Sequence, residues 1–181
     1  MKGMLFTEFF EMVESTLGST MLDDIIDDCQ LSSGGAYTAV GTYPHEEMVA
    51  LVQALALRTQ TPVPVLLKTF GEYLFGRFVL LYPQLFTHVQ DAFPFLCGVD
   101  AVIHAEVHKL YPDAQLPRFD VYRLDDCTLR MEYSSPRGMA DLAEGLLLGC
   151  IHHYGETIAL HREPLPKLPG GACFTLTKVA P

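Results

Sequence analysis

Three hydrogen-bond donors, Tyr133, Ser135 and Arg137, occupy alternate positions in the stretch Y-S-S-P-R. They close a run, C-T-L-R-M-E-Y, in which Cys127, Leu129, Met131 and Tyr133 alternate with Thr128, Arg130 and Glu132. That is the period-2 pattern of a half-buried strand. Continuing the alternation predicts Ser135 and Arg137 on the apolar side with Tyr133. A phenol, a hydroxyl and a guanidinium on an apolar face cost free energy unless they are paired. Either they satisfy one another and nearby backbone, or they receive an acidic ligand. A guanidinium suits the second role, because it can grip a carboxylate through two parallel hydrogen bonds.

Among the histidines, His104 lies in V-D-A-V-I-H-A-E-V-H-K-L-Y, amid Val99, Val102, Ile103 and Val107. From spacing alone it reads either as a core histidine bonded to a carbonyl or as a metal ligand, since neutral imidazole is a common ligand for haem iron and zinc. The pair His104 and His108 has the spacing of a zinc-protease helix, but Ala105 stands where the general-base glutamate belongs. His152 and His153 are adjacent and point about 100° apart on a helix, which suits a surface better than a shared metal. His161 and Cys173 can sit on paired strands, but two ligands do not close a tetrahedral zinc site. The sequence has no Gly-rich phosphate loop, no G-x-S-x-G and no carboxylate pair placed for acid–base work. Cys97 and Cys150 fall in apolar patterns and are predicted to be buried, inert thiols.

The elements that must position these groups follow from composition and periodicity. The chain has 181 residues, 49% hydrophobic and 19% charged, which fits one globular domain with a substantial core. The formal net charge of −10 argues against nucleic acid or an anionic membrane as a partner. No apolar run approaches the ~20 residues of a membrane span. The acids Glu8 and Glu11 make the N-terminus a poor signal peptide. Five cysteines, widely spread and without a CxxC, are expected to be reduced thiols of a cytoplasmic protein.

Helical spacing recurs at Leu5, Phe6, Phe9, Phe10 and Val13, stopped by Gly18. It recurs again at Met21, Leu22, Ile25, Ile26 and Cys29, with Ser19 or Thr20 as the predicted cap. A third stripe, Met48 to Leu55, follows Pro44. Thr61 and Pro62 look like the cap and first position of a long apolar helix from Val65 to Leu81. Phe93 to Leu110 is helical, with breaks expected near Pro94 and Gly98. The texture then changes. Arg118–Leu124 and Cys127–Tyr133 read as a hairpin turning at Asp125-Asp126. Met139, Leu142, Ala143, Leu146, Leu147 and Cys150 form the clearest helical stripe of the chain. Strands are predicted near Thr157–His161 and Cys173–Thr177, with three prolines between them opposing regular structure. The predicted fold class is therefore α+β: a helical N-terminal part, about residues 1–62, followed by a part, about 63–181, with an antiparallel sheet and helices.

A histidine on one side and three donors at an edge would specify a pocket for haem, a flat apolar ring with two propionates. The absence of CxxCH excludes covalent c-type attachment. Here the sequence resembles the haem-nitric oxide/oxygen binding (H-NOX) sensor domains, relatives of the haem domain of soluble guanylate cyclase. M-K-G-M-L-F, V-I-H-A-E-V-H-K-L-Y-P-D-A-Q-L-P, Y-S-S-P-R and A-E-G-L-L-L-G carry the resemblance, which covers nearly the whole chain.

The resemblance implies a four-stranded antiparallel sheet, with b-type haem buried between the helical and sheet-bearing parts. It makes His104 the proximal iron ligand, and Tyr133, Ser135 and Arg137 the propionate ligands. Pro117 becomes the residue that presses on and distorts the haem. Leu142, Leu146, Leu5, Phe9 and Leu74 are expected as pocket walls. Oxygen-binding relatives carry a tyrosine at the position of Leu142, so the expected ligands are nitric oxide and carbon monoxide, with dioxygen excluded. The structural zinc of some relatives is not expected, because only His161 and Cys173 of its ligand set remain; Met139 or Ala140 and Pro164 replace two cysteines. The implied function is gas sensing without catalysis. The signal would pass to a histidine kinase or a cyclic-di-GMP enzyme on another chain by release of His104. The competing classes are a haem enzyme or nitric oxide carrier and a haem-free interaction module.

Overall fold

The computed structural model describes residues 1–166 and 168–179. Among them are seven α-helices and one four-stranded antiparallel sheet, so the fold class is α+β as expected. The chain forms two compact units, Met1–Phe70 and Gly71 onward, and the division falls inside the long helix α4 (Val63–Leu81).

In the first unit, α1 (Gly3–Leu17), α2 (Ser19–Asp27) and α3 (His45–Thr59) bury Phe6, Phe9, Val13, Ile25, Met48, Leu51 and Leu55. Phe9 meets Phe70 edge to face at 5.3 Å. Arg58 on α3 ties α2 through Asp24 (2.7 Å) and Asp28 (2.6 Å). Helix α2 starts at Ser19 directly after Gly18 and uses no side-chain cap, contrary to the expectation for Ser19 or Thr20. Gly18 sits at φ +89, a backbone open to glycine, and the turn it makes leaves no separate capping residue. The N–H groups of Val65 and Leu66 donate to the Pro62 carbonyl, so Pro62 precedes α4 and Thr61 does not cap it.

The long loop between α2 and α3 is held by a buried carboxylate. Glu47, only 5% exposed, accepts hydrogen bonds from the hydroxyls of Ser32, Ser33 (2.6 Å) and Tyr37 (2.6 Å) and from the Ser33 N–H (3.1 Å). Burial pushes its pKa up, but these donors outweigh it and hold the group at about 2. Tyr37 then stacks on Phe6 at 4.2 Å.

In the second unit the strand order is β1-β2-β4-β3, with β1 (Arg118–Arg123), β2 (Thr128–Ser134), β3 (Ile158–Pro164) and β4 (Ala172–Lys178). The alternation of β2 is realised: Leu129, Met131 and Tyr133 are buried, facing Leu176, Phe174 and Ala172 across the ladder. Helix α7 (Ala140–Tyr154) joins this core through Ala143, Leu147, Cys150 and Ile151. Of its predicted stripe, Ala143, Leu147 and Cys150 lie in this core and Leu146 packs against it, whereas Met139 and Leu142 are buried outside it. Arg162 on β3 ties α7 by Asp141 (2.5 Å) and Glu144 (3.1 Å). Gly71, the first residue of this unit, lies so close to α7 that a Cβ would come 2.4 Å from the Leu142 carbonyl and 2.7 Å from the Leu146 N.

Three other expectations need correction. The hairpin turn spans Leu124–Cys127 rather than two residues, with the Leu124 N–H donating to the Thr128 carbonyl and Cys127 N–H to the Asp125 side chain. Strand β3 runs on through Arg162 and Glu163 to Pro164; as an edge strand, it tolerates a proline that lacks an N–H. Cys97 closes α5 (Ala92–Cys97) exposed to solvent, whereas Cys150 is fully buried and its thiol pKa is raised by burial. No helix among the described residues is long and apolar enough to cross a membrane.

Candidate functional site

His104 ends a π-helical stretch, Val99–His104, between α5 and α6 (Ala105–Leu110). The break follows Gly98, whose carbonyl accepts from both Val102 N–H (2.8 Å) and Ile103 N–H (3.3 Å). Such wide turns are frequent at functional sites. The His104 side chain is 17% exposed, and its Nδ1 lies 2.7 Å from Oδ1 of Asp100. Burial lowers the His104 pKa, against the opposing pull of the Asp100 carboxylate. The imidazole is thereby held neutral near pH 7, with one nitrogen engaged and Nε2 without a hydrogen-bond partner among the described residues. That is the donor state an iron or zinc centre requires of histidine.

Asp100 has a second contact. Its Oδ2 accepts from the backbone N–H of Phe119 on β1 at 3.1 Å. Phe119 pairs with Tyr133 across the sheet, and the rings of His104, Phe119 and Tyr133 follow one another at 6.2 and 5.4 Å. The histidine and the donor motif, nearly thirty residues apart in sequence, are thus brought together within one unit through β1.

The motif itself is built differently from the strand extrapolation. Strand β2 ends at Ser134, and Ser135 to Gly138 form a turn closed by the Gly138 N–H on the Ser135 carbonyl. Gly138 has φ +62 and lies against Gly170, so the chain leaves the pleat here. Ser135 and Arg137 therefore do not continue the face of β2. The turn nevertheless gathers them. Tyr133 is 3% exposed, its pKa raised by burial, and its hydroxyl contacts the Ser135 side chain and the Met139 backbone. Ser135 Oγ accepts from the Arg137 N–H at 3.3 Å. The Arg137 guanidinium donates to the Gln115 carbonyl (2.6 Å) and to its side-chain Oε1 (3.1 Å). Those two contacts leave guanidinium N–H groups available and hold the segment carrying Pro117, which is half-buried.

Leu74 and Leu142 are buried and Leu146 is half-buried, all in the second unit. Leu142 and Leu146 lie one turn apart, where Gly71 approaches the α7 backbone. Leu5 (half-buried) and Phe9 (fully buried) belong to α1 in the first unit. His161 faces Thr175 and Cys173 faces Glu163 across the β3–β4 ladder, and the Arg130 side chain donates to the Cys173 sulfur at 3.2 Å. Sequence reasoning missed Asp100, Gln115 and Phe119. Of these only Asp100 left a readable trace, four residues before His104 on the same helical face.

A half-buried imidazole with a lowered pKa and a gathered set of donors thus stand within one unit. A family model described as Haem-NO-binding matches residues 2–162. The chain is similar to the unliganded Fe(II) H-NOX protein from K. algicida, at 35% identity over 100% of this chain and 98% of that one, TM-score 0.93. It is similar to the H-NOX of Shewanella woodyi in the Fe(II)CO state, at 38% identity over 99% and 95%, TM-score 0.85. It also resembles the S. oneidensis H-NOX in the Fe(II)NO state, at 25% identity over 99% and 100%, TM-score 0.91. No curated protein matches the chain. The chain belongs to the Haem-NO-binding (H-NOX) family of haem-based gas sensors.

Proposed function

We propose that this chain is a nitric oxide sensor that binds non-covalent b-type haem and acts on a separate signalling protein, either a histidine kinase or a cyclic-di-GMP enzyme (diguanylate cyclase or phosphodiesterase). The carrying observation is His104: half-buried, its pKa lowered chiefly by burial, with Nδ1 2.7 Å from Asp100 Oδ1 and Nε2 without a hydrogen-bond partner among the described residues. His104 would hold the iron; Tyr133, Ser135 and Arg137 would hold the propionates through charge-assisted hydrogen bonds. Leu142, Leu146, Leu74, Leu5 and Phe9 would wall the pocket, and Pro117 would press on the ring. When bound, haem would supply the iron that takes up nitric oxide or carbon monoxide, and His104 would be the ligand whose release carries the signal.

The work of this chain is to hold that ligand and to let it go. Leu142 has no O–H to donate, which withholds the hydrogen bond that would stabilise dioxygen. Signalling then requires that the free and held arrangements of His104 differ in their affinity for the partner. The reading gives the domain no catalytic step of its own, no zinc, and a cytoplasmic location.

The test is the absorption spectrum of the protein purified after haem supply. A Soret band that shifts with nitric oxide and with carbon monoxide, and does not shift in air, is expected. No Soret band would favour a haem-free interaction module, dioxygen uptake would contradict the role of Leu142, and peroxide turnover would favour a haem enzyme. For the partner, nitric oxide should change the activity of the kinase or cyclic-di-GMP enzyme mixed with the loaded chain.

A further inference from the structure

We propose that Arg162 is a further positioning residue of the propionate motif: it holds the start of α7 to the sheet and offsets two carboxylates that lie just beyond the motif. The proposal rests on the reading of Tyr133, Ser135 and Arg137 as the ligands of the haem propionates. Arg162 lies on β3 and pairs with Phe174, while Pro164 pairs with Ala172, which pairs in turn with Tyr133. That register puts Arg162 and Tyr133 on the same face of the sheet, with β4 between them. From there, Nη1 of Arg162 donates to both Asp141 Oδ1 (2.5 Å) and Glu144 Oε2 (3.1 Å). These two acids flank Leu142 in the first turns of α7. The motif holds the same end of the helix, because the Tyr133 hydroxyl contacts the Met139 backbone and α7 has no side-chain cap of its own.

Two consequences follow from elementary electrostatics. The Glu144 side chain is only 13% exposed, so without a cation its charge would be poorly screened. Asp141, Glu144 and Arg162 together carry one net negative charge, against two without the guanidinium. A motif that receives propionates gains from every negative charge cancelled nearby. Tyr133 reports the same field: burial raises its pKa, and the charges of Arg137 and Arg162 both oppose that rise. Arg137 is the donor of the motif; Arg162 acts through α7 and through charge.

Three variants of the haem-loaded full chain separate charge from packing. Arg162→Met removes the charge and keeps an apolar stem, Arg162→Lys keeps both, and Asp141→Asn removes one of the acids. Haem loss is read by transfer to an acceptor globin, and the ferric–ferrous midpoint potential by spectroelectrochemical titration. Arg162→Met is expected to lose haem roughly fivefold faster and to have a lower potential, since loss of a positive charge favours ferric iron. Arg162→Lys should stay within about twofold of wild type, because a single nitrogen makes both contacts and a point charge suffices. Asp141→Asn should raise the potential. Shifts of opposite sign mark a charge effect; shifts of the same sign, or none, overturn the proposal, as does haem loss in Arg162→Lys as fast as in Arg162→Met. If Arg162→Met fails to fold, an unchanged potential in Asp141→Asn overturns it alone. Wild-type haem loss in Arg137→Ala overturns the motif reading and this proposal together, whereas wild-type values in Arg162→Met beside a fast-losing Arg137→Ala overturn only the proposal.

Discussion

Both units place polar groups inside apolar surroundings, but they finish them differently. In the first unit, the Glu47 carboxylate receives donors on both oxygens, from Ser32, Ser33 and Tyr37. All its partners lie in one loop, which it pins. In the second unit, His104 engages one nitrogen and leaves the other free, and Arg137 spends two contacts on Gln115 and retains N–H groups to offer. A saturated polar knot is architecture: it specifies the conformation of a loop that apolar contacts alone would hold loosely. An unsaturated set of donors, kept in place by the protein yet not consumed by it, is a binding site. The contrast is one of chemistry as well as of burial, since Glu47 is buried whereas His104 and Arg137 are half-buried.

The comparison can be broken from either side. The largest effect is expected at Arg137→Ala, which removes the charged donor of the motif and should speed haem loss on the order of 10–100-fold, read by transfer to an acceptor globin. Glu47→Gln should cost about 2 kcal/mol of stability in denaturant unfolding, because a neutral amide cannot accept from all four donors. It should leave the haem spectrum unchanged. The pH dependence has a definite sign. The folded-state pKa of Glu47 lies below the ordinary 4.5, at about 2, so its contribution is complete above about 4.5 and is lost as pH falls from there toward 2. Glu47→Gln should flatten the stability curve in that window. Tyr133→Phe removes one buried hydroxyl and should speed haem loss roughly tenfold at most. Ser134→Ala, on the opposite side of the strand from Tyr133, should alter neither stability nor haem retention beyond about 0.5 kcal/mol. A large effect there, or a haem defect in Glu47→Gln, would erase the distinction between the two regions.

The same contrast marks how far the sequence could be read. The α7 stripe and the β2 alternation were legible because burial on one face imposes a period, and the structure buries those residues. The extension of β2 to Ser135 and Arg137 failed at one residue. Gly138 in a left-handed conformation turns the chain, and alternation carries no information about where a strand stops. The continuation of β3 to Pro164 was hidden by a local rule against proline that does not bind an edge strand. The grouping of candidate residues drew on motifs, but Asp100, Gln115 and Phe119 could not be found that way. Their roles arise from a carboxylate reaching a strand and a guanidinium reaching a backbone carbonyl, contacts set by tertiary approach. A backbone acceptor such as that of Gln115 leaves no signature in residue type at all.

The claim that the open nitrogen of His104 is the iron ligand is tested most directly by His104→Gly, purified with haem in the presence and absence of imidazole. The expected result is loss of the histidine-sensitive iron stretch, recovery of a wild-type-like ferrous spectrum when imidazole fills the vacated space, and loss of it again on dialysis. A His104→Gly protein that keeps the wild-type Soret position and nitric oxide response without imidazole would contradict the account.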